Sequence, residues 1–438
     1  MSAVSSEALG MLSFGAVLVL IALRVPIGAA LGLVGFVGVG VLRNFDVAYG
    51  FLKSVPFDFA ASWSLSAIPM FLLMGALAQN TGISTSLFRA AQLWLGRLPG
   101  GLAVAANFAC AGFAAASGSS IATAMTMGRV AIPEMLKHGY DKGLASGVVA
   151  SAGTLGSLIP PSILFVLYGV FAEVSIPKLL LAGILPGLLT ALVYTVMIVT
   201  RCLISPQIAP SVRIETSWRE RFVSLGMVWP WLIMILGIIG GLYGGLVTPT
   251  EAGAFGAFLA LAVSLIQGRL TMGRLWASLV DCVASTSRIY FVAFGAVIFT
   301  KFLALTSMPA AIAGELGEWA LSPARLLIAT TVIYLLLGMF LDPIGMMLIT
   351  LPILLPLFEN LKLDLVWFGV LVVKYLEIGL LTPPVGFNVY VIKSVVGKEI
   401  DLVTIFRGVG WFLLCEAVVM ALLIGFPKIS LIIPNHFG

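Results

Sequence analysis

The chain carries very little charge. Only 10% of its 438 residues are Asp, Glu, Lys or Arg, whereas 60% are hydrophobic. Soluble domains contain about 25% charged and about 45–50% apolar residues, so a water-soluble fold could not bury this much apolar surface. The composition therefore predicts an integral membrane protein. The apolar runs are long rather than alternating segments of about ten residues, which favours α-helices over a barrel.

Groups that bind transition metals are also scarce. The chain has two histidines and four cysteines, and neither set has the spacing of a metal site or of a disulfide framework. We expect no transition-metal site and no cofactor. The sequence contains no Walker motif, catalytic triad or zinc motif, so this subunit is expected neither to use ATP nor to be an enzyme. The net charge of +5 is attributed to basic cytoplasmic loops and not to nucleic-acid binding.

Apolar blocks recur along the whole chain, and most suit a single membrane crossing. Two longer blocks, 99–133 and 324–357, are interrupted by "AASGSS" and "FLDPIG" and are best explained as re-entrant hairpins. We predict about ten transmembrane helices plus these two hairpins. The first run starts near Met11 without a basic leader or cleavage motif, so it is expected to be retained. Residues 85–98 and 310–322 are predicted to lie along the interface as amphipathic segments.

Basic residues predict the orientation of the chain in the membrane. The segments 134–142, 201–222 and 269–274 carry lysines and arginines, and they fall on one face if each hairpin returns to its own side. The positive-inside rule makes that face cytoplasmic. Both termini are then expected to be periplasmic.

A doubled proline points to an internal repeat. Pro160-Pro161 recurs as Pro383-Pro384, and the difference between 160 and 383 is 223 residues. The same shift relates further pairs: Pro26 and Pro249, Pro133 and Pro356, Gly156 and Gly379, and Ser119 and Asp342. A constant shift over more than a hundred residues in each half indicates a duplication.

The repeat divides the chain into two halves joined by a cytoplasmic linker at 201–223. Residues 1–200 hold the hairpin 99–133 and a broken helix at 143–172. Residues 224–438 hold the hairpin 324–357 and a broken helix at 365–396. Five crossings per half is an odd number, so the second half enters the membrane inverted. The predicted fold is an all-α membrane protein built on the inverted-repeat plan of secondary transporters.

Four interruptions carry the functional prediction. We name them the first tip ("ASGSS", 116–120), the first break ("AGTLGSLIPPS", 152–162), the second tip ("LDPIG", 341–345) and the second break ("EIGLLTPPVGFN", 377–388). Prolines remove backbone donors, and non-helical backbone is tolerated at membrane depth only when it is buried in protein or lines a cavity. Freed carbonyls and hydroxyls suit a small cation, and helix N-termini suit an anion. The alternative is kinked helices in which Pro and Gly only assist packing.

Four charged residues in or beside apolar blocks are candidates for function. Asp342 is an intramembrane carboxylate, although it also suits a helix N-cap. Glu377 precedes the second break, where a salt bridge with Lys374 is an equally good explanation. Arg129 suits either a substrate carboxylate or the cytoplasmic interface, and Glu251 suits the start of a helix.

At these residues the chain resembles a known family. "AASGSSIATA", "IPEMLKHGYDKGLASGVVASAGTLGSLIPPSILFVLYG", "YGGLVTPTEAGAFGA" and "EIGLLTPPVGFNVYVIK" are similar to the large membrane subunit of tripartite ATP-independent periplasmic (TRAP) transporters. The resemblance covers essentially the whole chain. It implies an elevator-type carrier in the bacterial inner membrane that is coupled to sodium entry. It also implies a small four-helix membrane subunit and a periplasmic substrate-binding protein as partners, with organic acids such as dicarboxylates, sugar acids and sialic acids as substrates.

The resemblance implies site residues by their positions. One sodium site is expected from the first tip and the first break: Ser117, Gly118, Ser119, Ser120, Gly153, Thr154 and Pro160. The other is expected from Gly338, Asp342, Gly379 and Thr382. Apart from what the resemblance implies, we expect substrate contacts at Arg129, Ser157, Pro161, Pro384 and Asn388. Arg129 departs from the small or apolar residue that the family pattern has there.

Other classes of protein fit the sequence less well. A stand-alone ion-coupled carboxylate carrier or antiporter of related architecture would need no binding protein. An intramembrane enzyme would need paired acidic or His/Glu groups at depth, and Asp342 is a single carboxylate. A channel would need a pore-ring motif, which the repeat lacks.

Overall fold

The fold is helical throughout the part of the chain that the structure describes. The computed structural model describes residues 5–82, 84–210, 217–308 and 322–437. Within these ranges every regular element is an α-helix or a short 3-10 turn.

The α-helices before the linker are α1 Ser6–Ala22, α2 Ile27–Leu42, α3 Phe45–Ala60, α4 Ala67–Asn80, α5 Ser84–Leu95, α6 Gly101–Ser117, α7 Ser120–Lys137, α8 Lys142–Ala152, α9 Ile163–Phe171, α10 Ile176–Ala182 and α11 Ile184–Ile204. Those after it are α12 Trp218–Gly226, α13 Trp229–Tyr243, α14 Pro249–Ile266, α15 Met272–Thr306, α16 Pro323–Gly338, α17 Pro343–Asn360, α18 Leu365–Gly379, α19 Phe387–Val396, α20 Leu402–Gly425 and α21 Lys428–Phe437.

Several helices are long and apolar enough to cross a bilayer. Four stretches of the described residues meet this requirement: Ile176–Ile204, Met272–Thr306, Pro343–Asn360 and Leu402–Gly425. Two bent pairs, α3 with α4 and α12 with α13, would raise the number to six. The other apolar helices are shorter, partly because the two breaks divide would-be crossings into α8 and α9 and into α18 and α19. The number of ten crossings stays a prediction.

Both predicted tips are short turns that start a helix. α6 ends at Ser117 and α7 begins at Ser120, with Gly118 at φ +59° between them. Ser119 caps α7 by accepting the Ala122 amide, at 3.4 Å. Asp342 caps α17 in the same way by accepting the Gly345 amide, at 3.1 Å. The helix-cap interpretation of Asp342 is therefore confirmed, and an N-terminal anion is electrostatically favourable there.

Both predicted breaks are also present. After α8 the chain makes a 3-10 turn over Gly153–Ser157 and a non-helical stretch before α9 begins at Ile163. After α18 the helix stops at Gly379 and α19 starts at Phe387. Pro160-Pro161 and Pro383-Pro384 are cis peptides. The position of these four interruptions relative to a membrane stays a prediction.

Helix boundaries in the two halves follow the shift of 223 residues closely. α7 and α17 both contain 18 residues and begin at Ser120 and Pro343, which are 223 apart. α8 and α18 begin at Lys142 and Leu365, again 223 apart. α2, α6 and α9 begin within one residue of the same shift from α14, α16 and α19. This correspondence supports the interpretation of an internal repeat.

The most extensive helix contacts are between helices from opposite halves. α2 lies along α15, and α4 lies along α14, which are counterpart contacts under the same shift. Glycines allow the close approach: a Cβ added to Gly35 would lie 2.8 Å from the Phe299 backbone nitrogen, and one added to Gly256 would lie 2.6 Å from Met74 Sδ. Small residues at helix contacts are typical of membrane proteins, where lipid gives no hydrophobic force between helices.

The structure differs from the sequence prediction in the lengths of some helices. α3 and α21 lie in segments that we did not assign to apolar blocks, because Asp46, Lys53 and Asp58 lower the hydropathy of α3. α15 has 35 residues, or about 52 Å at 1.5 Å per residue, so part of the predicted basic loop 269–274 belongs to this helix. α5 is helical as expected, whereas the segment 310–322 lies almost wholly outside the described residues.

The contact between α2 and α15 gives a stability prediction. We expect Gly35→Ala to lower the thermal unfolding midpoint of the purified protein by several degrees, because the new Cβ would meet fixed backbone atoms of Phe299. Overpacking typically costs about 1–3 kcal/mol, more than the gain of about 1 kcal/mol from replacing a helical glycine. Gly32→Ala is the matched control on the same helix, since its Cβ would lie an ordinary 3.5 Å from Gly295. Equal midpoints for the two variants would contradict this account of the contact.

Candidate functional site

A cleft lies between the tips and a wall made by α4 and α15, and the wall touches the first tip where a Cβ on Gly75 would lie 2.9 Å from the Ser117 carbonyl oxygen. The volume of the cleft is about 440 Å³. One side is formed by both tips together with residues of both breaks: Ser117, Gly118, Ser119, Ser120, Ser157, Asp342, Pro343, Glu377 and Leu380. The opposite side, which we name the α4–α15 wall, contributes Leu72, Gly75, Ala76, Gln79, Asp281, Ser285, Arg288 and Ile289. Ligand sites typically have this form, with apolar walls and a few convergent polar groups.

The first tip packs directly on the first break. A Cβ on Gly118 would lie 2.6 Å from the Pro161 carbonyl oxygen, and one on Gly156 would lie 2.6 Å from the Ser119 carbonyl oxygen. Gly118 also has φ +59°, a conformation that other residues adopt at a cost. Two non-helical backbones can therefore meet here because both contact points are glycines.

The end of α16, just before the second tip, packs on the second break in a similar way. Gly338 ends α16 and Gly379 ends α18, and each Cα lies within 3 Å of the Cβ that the other would carry. Asp342 lines the cleft, while the Thr382 hydroxyl donates to the Ile378 carbonyl at 2.7 Å. The structure thus places Gly118 against the first break and Gly338 against Gly379, while the two sodium sites stay a prediction.

A chain of side-chain hydrogen bonds joins the two halves inside the cleft. Ser157 Oγ lies 2.8 Å from Ser120 Oγ, and Ser120 Oγ donates to Glu377 Oε2 at 2.7 Å. Ser157 and Ser120 belong to the first half, whereas Glu377 belongs to the second. All three side chains are buried and line the cleft.

Lys374 does not pair with Glu377. Its ammonium group pairs with Glu416 of α20 and donates to Thr190 Oγ1 of α11 at 3.3 Å, and Tyr194 of α11 donates to the same Glu416 carboxylate. The salt bridge that we considered between Lys374 and Glu377 is therefore wrong. The two residues are three positions apart, but the neighbouring helices offer Lys374 a different carboxylate.

Other predicted residues lie outside the cleft lining. Arg129 is exposed on α7, and Pro384 is exposed in the second break. Thr154 is buried, and its hydroxyl donates to the Ser151 carbonyl at 2.6 Å. Asn388 is buried and donates to the Ala150 carbonyl of the other half at 3.2 Å. Gly153, Pro160 and Pro161 are buried in the first break.

Glu251 has the role that its position suggested. Its carboxylate accepts the Thr248 amide at 2.8 Å, and Thr248 Oγ1 accepts the Glu251 amide at 3.3 Å. This reciprocal pair is a capping box at the start of α14, a device that satisfies two helix-end donors.

The α4–α15 wall contains polar residues that the sequence analysis missed. Asp281, Ser285 and Arg288 line the cleft from α15, and Asn80 of α4 donates to Asp281 Oδ2 at 3.0 Å. The spacing of four and then three residues places them on one helix face. That spacing is the signal that could have found them, but Asp281 lies just before the predicted apolar block 284–305, which holds Ser285 and Arg288, so the three were not recognised as one helix face.

The comparisons with known proteins agree with the sequence motifs. Residues 14–429 match the family model described as tripartite ATP-independent periplasmic transporter, DctM component. This chain belongs to the DctM family. The C4-dicarboxylate TRAP transporter large permease protein DctM of Pseudomonas aeruginosa is 36% identical over 87% of this chain and 88% of that protein. The sialic acid TRAP transporter large permease protein SiaM of Vibrio cholerae is 32% identical over 94% of this chain and 99% of that protein.

The solved structures add information on the fold alone. The YdaH transporter of Alcanivorax borkumensis matches with a TM-score of 0.60 and 14% sequence identity, over 87% of this chain and 90% of that chain. The prediction of an all-α membrane transporter is confirmed. The two relatives named above are transporter permeases rather than enzymes, as predicted for this DctM-family chain.

The contact between the first tip and the first break gives a second prediction. We expect Gly118→Ala to lower the thermal unfolding midpoint, because it adds a left-handed backbone cost of about 1–2 kcal/mol and places a Cβ 2.6 Å from the Pro161 carbonyl oxygen. Gly268→Ala is the control: Gly268 has φ +64° but no atom within 4 Å of its Cβ position. If both variants lose the same stability, backbone conformation alone matters at Gly118 and the close approach to Pro161 does not.

Proposed function

We propose that this DctM-family chain is the large membrane subunit of a sodium-coupled importer of an organic acid. A periplasmic binding protein would deliver the substrate, and a small four-helix membrane subunit would accompany the chain in the bacterial inner membrane. The observation that carries the proposal is the cleft in which both tips, both breaks and an arginine converge. An ion gradient is the expected energy source because the sequence has no ATP-binding motif.

The residues fit the proposed ions. Each tip supplies a helix N-terminus, and each break frees backbone carbonyls beside Ser and Thr hydroxyls. Small hard cations prefer such oxygen ligands. We propose that the first group (Ser117–Ser120 with Gly153, Thr154 and Pro160) and the second group (Gly338, Asp342, Gly379 and Thr382) each hold one sodium ion. Sodium would then lower the cost of placing an anionic substrate in a low-dielectric cleft.

We further propose that Arg288 binds the carboxylate of the substrate. Its side chain is exposed to the cleft from α15, facing the tips across the space. The fork of an arginine matches a carboxylate with two parallel hydrogen bonds. The names of the two relatives contain C4-dicarboxylate and sialic acid, and both of these compounds carry carboxylates.

The two sides of the cleft suit an elevator mechanism. The tips and breaks form one packed group, and the α4–α15 wall is held by α2 and α14 through close glycine contacts. We propose that the first group carries substrate and sodium while the wall stays fixed. The 223-residue correspondence of helix starts supports an inverted repeat. The basic segments 134–142 and 201–222 contact each other, since the Asp141 amide donates to the Ile208 carbonyl at 2.8 Å. We assign the basic segments to the cytoplasm and both termini to the periplasm.

Uptake into proteoliposomes tests the proposal. The chain would be reconstituted with its small subunit, and binding protein loaded with a radiolabelled organic acid would be supplied outside. We expect uptake to fall to background when either sodium or the binding protein is omitted. Undiminished uptake without the binding protein would favour a stand-alone carrier of related architecture. Undiminished uptake without sodium would contradict sodium coupling.

The role of Arg288 gives a separate prediction in the same assay. We expect Arg288→Gln to lower the uptake rate at limiting substrate by about tenfold or more, because hydrogen bonds to charged groups contribute about 1.5–3 kcal/mol. Arg129→Gln is the matched control, since Arg129 is exposed but outside the cleft lining. A loss in the Arg129 variant with full activity in the Arg288 variant would reverse the assignment.

A further inference from the structure

Glu377 is a buried carboxylate whose hydrogen bonding is incomplete. The residue is 1% exposed and lies two positions before the end of α18. Its Oε2 accepts the Ser120 hydroxyl at 2.7 Å. Its Oε1 is buried and has no hydrogen-bond partner among the described residues. Buried polar atoms are normally paired, so this oxygen is available to a further ligand that enters the cleft.

No basic side chain of the described residues neutralises Glu377. Lys374, one helical turn away, is engaged by Glu416, and that pair is itself buried. Arg288 lines the opposite side of the cleft and forms no ion pair with Glu377. A buried negative charge without a partner is strongly unfavourable. The Glu377 carboxyl therefore has to be neutralised either by a proton or by a bound cation.

The oxygens around Glu377 suit a small monovalent cation. Ser157 Oγ, Ser120 Oγ and Glu377 Oε2 form a row with spacings of 2.8 and 2.7 Å, and Oε1 adds a further acceptor. Hydroxyl and carboxylate oxygens are hard ligands. Within the described residues there is no cluster of three His, Cys, Asp or Glu side chains, so the set does not resemble a transition-metal site.

We propose that Glu377 supplies the negative charge for the sodium ion of the first tip. Its carboxylate would complete, from the second half of the chain, a site whose neutral ligands include Ser120 and Ser157 of the first half. The inference rests on the proposed sodium coupling and adds to it a charged ligand that lies outside the ligand set assigned above. An ion held in this way would tie the first tip to the second break.

This arrangement gives the ion a direct influence on the substrate. Without the cation, the cleft presents the carboxylates of Glu377, Asp342 and Asp281, together with the positive charge of Arg288, to an incoming carboxylate. With the cation bound, the negative charge of Glu377 is compensated and the repulsion falls. Binding of sodium and of an anionic substrate would therefore favour each other, and this coupling is reciprocal by linkage.

Sodium-dependent thermal stability tests the proposal without relying on transport. The unfolding midpoint of the detergent-purified protein would be followed against sodium chloride, with choline chloride keeping the ionic strength constant. A ligand that binds the folded state raises its stability with concentration. We expect Glu377→Gln to need a sodium concentration about tenfold or more higher than the unaltered protein for the same rise in the unfolding midpoint, because a charged ligand becomes neutral. Glu359→Gln, an exposed carboxylate at the end of α17, should respond like the unaltered protein.

A second variant keeps the test informative if Glu377→Gln does not fold. Ser157→Ala removes one proposed oxygen ligand and keeps the charge, so we expect a sodium requirement raised by about two- to tenfold. If Glu377→Gln needs no more sodium than the unaltered protein, the role of Glu377 is overturned while sodium coupling stands. If Glu377→Gln does not fold, the same result for Ser157→Ala has the same meaning. If the unaltered protein shows no stabilisation by sodium, the proposed sodium coupling fails first. Stabilisation of the unaltered protein by acid in place of sodium would replace the ion with a proton and overturn the inference.

Discussion

The constraint on which this structure depends is that lipid offers no hydrogen bonds to a backbone. Non-helical segments at membrane depth must be enclosed by protein or face a cavity. In this chain the interruptions are enclosed by each other: Gly118 lies against Pro161, and Gly338 lies against Gly379. The polar atoms released by one break are therefore next to those released by its tip. Polar residues from both tips and both breaks therefore meet at one cleft in a mostly apolar molecule.

The other side of the cleft is also built on close backbone contacts. α2 lies along α15 and α4 along α14, with glycines at the contact points. Because side chains at these points would strike backbone atoms, the four helices pack at short range and hold the α4–α15 wall as one unit. The cleft is thus bordered by two differently built groups, one with interrupted helices and one with continuous helices. Relative movement of two such groups is what an elevator mechanism requires.

Charge is distributed unevenly between these groups. Lys374 and Glu416 neutralise each other between α18 and α20, with Tyr194 as a further donor. Glu377, on the same helix as Lys374, instead accepts a hydrogen bond from the Ser120 hydroxyl of the opposite half. Arg288 stands on the α4–α15 wall. Three carboxylates and an arginine therefore face a common space, with Asp281 and Arg288 on the wall and Glu377 and Asp342 on the opposite side.

The sequence by itself determined the class of the protein, its four interruptions and its family. Composition excludes a soluble fold. Pro, Gly and Ser interrupt helices through local backbone geometry, which does not depend on tertiary contacts. The 223-residue shift in the prolines also anticipated where helices of the second half begin. Only the tertiary structure decided which groups meet. Lys374 and Glu377 are close in sequence yet take different partners, and Arg288 reaches the cleft because of the way in which its helix packs beside the tips. Local rules act over a few residues, whereas these contacts join residues more than forty positions apart, and helix packing alone decides them.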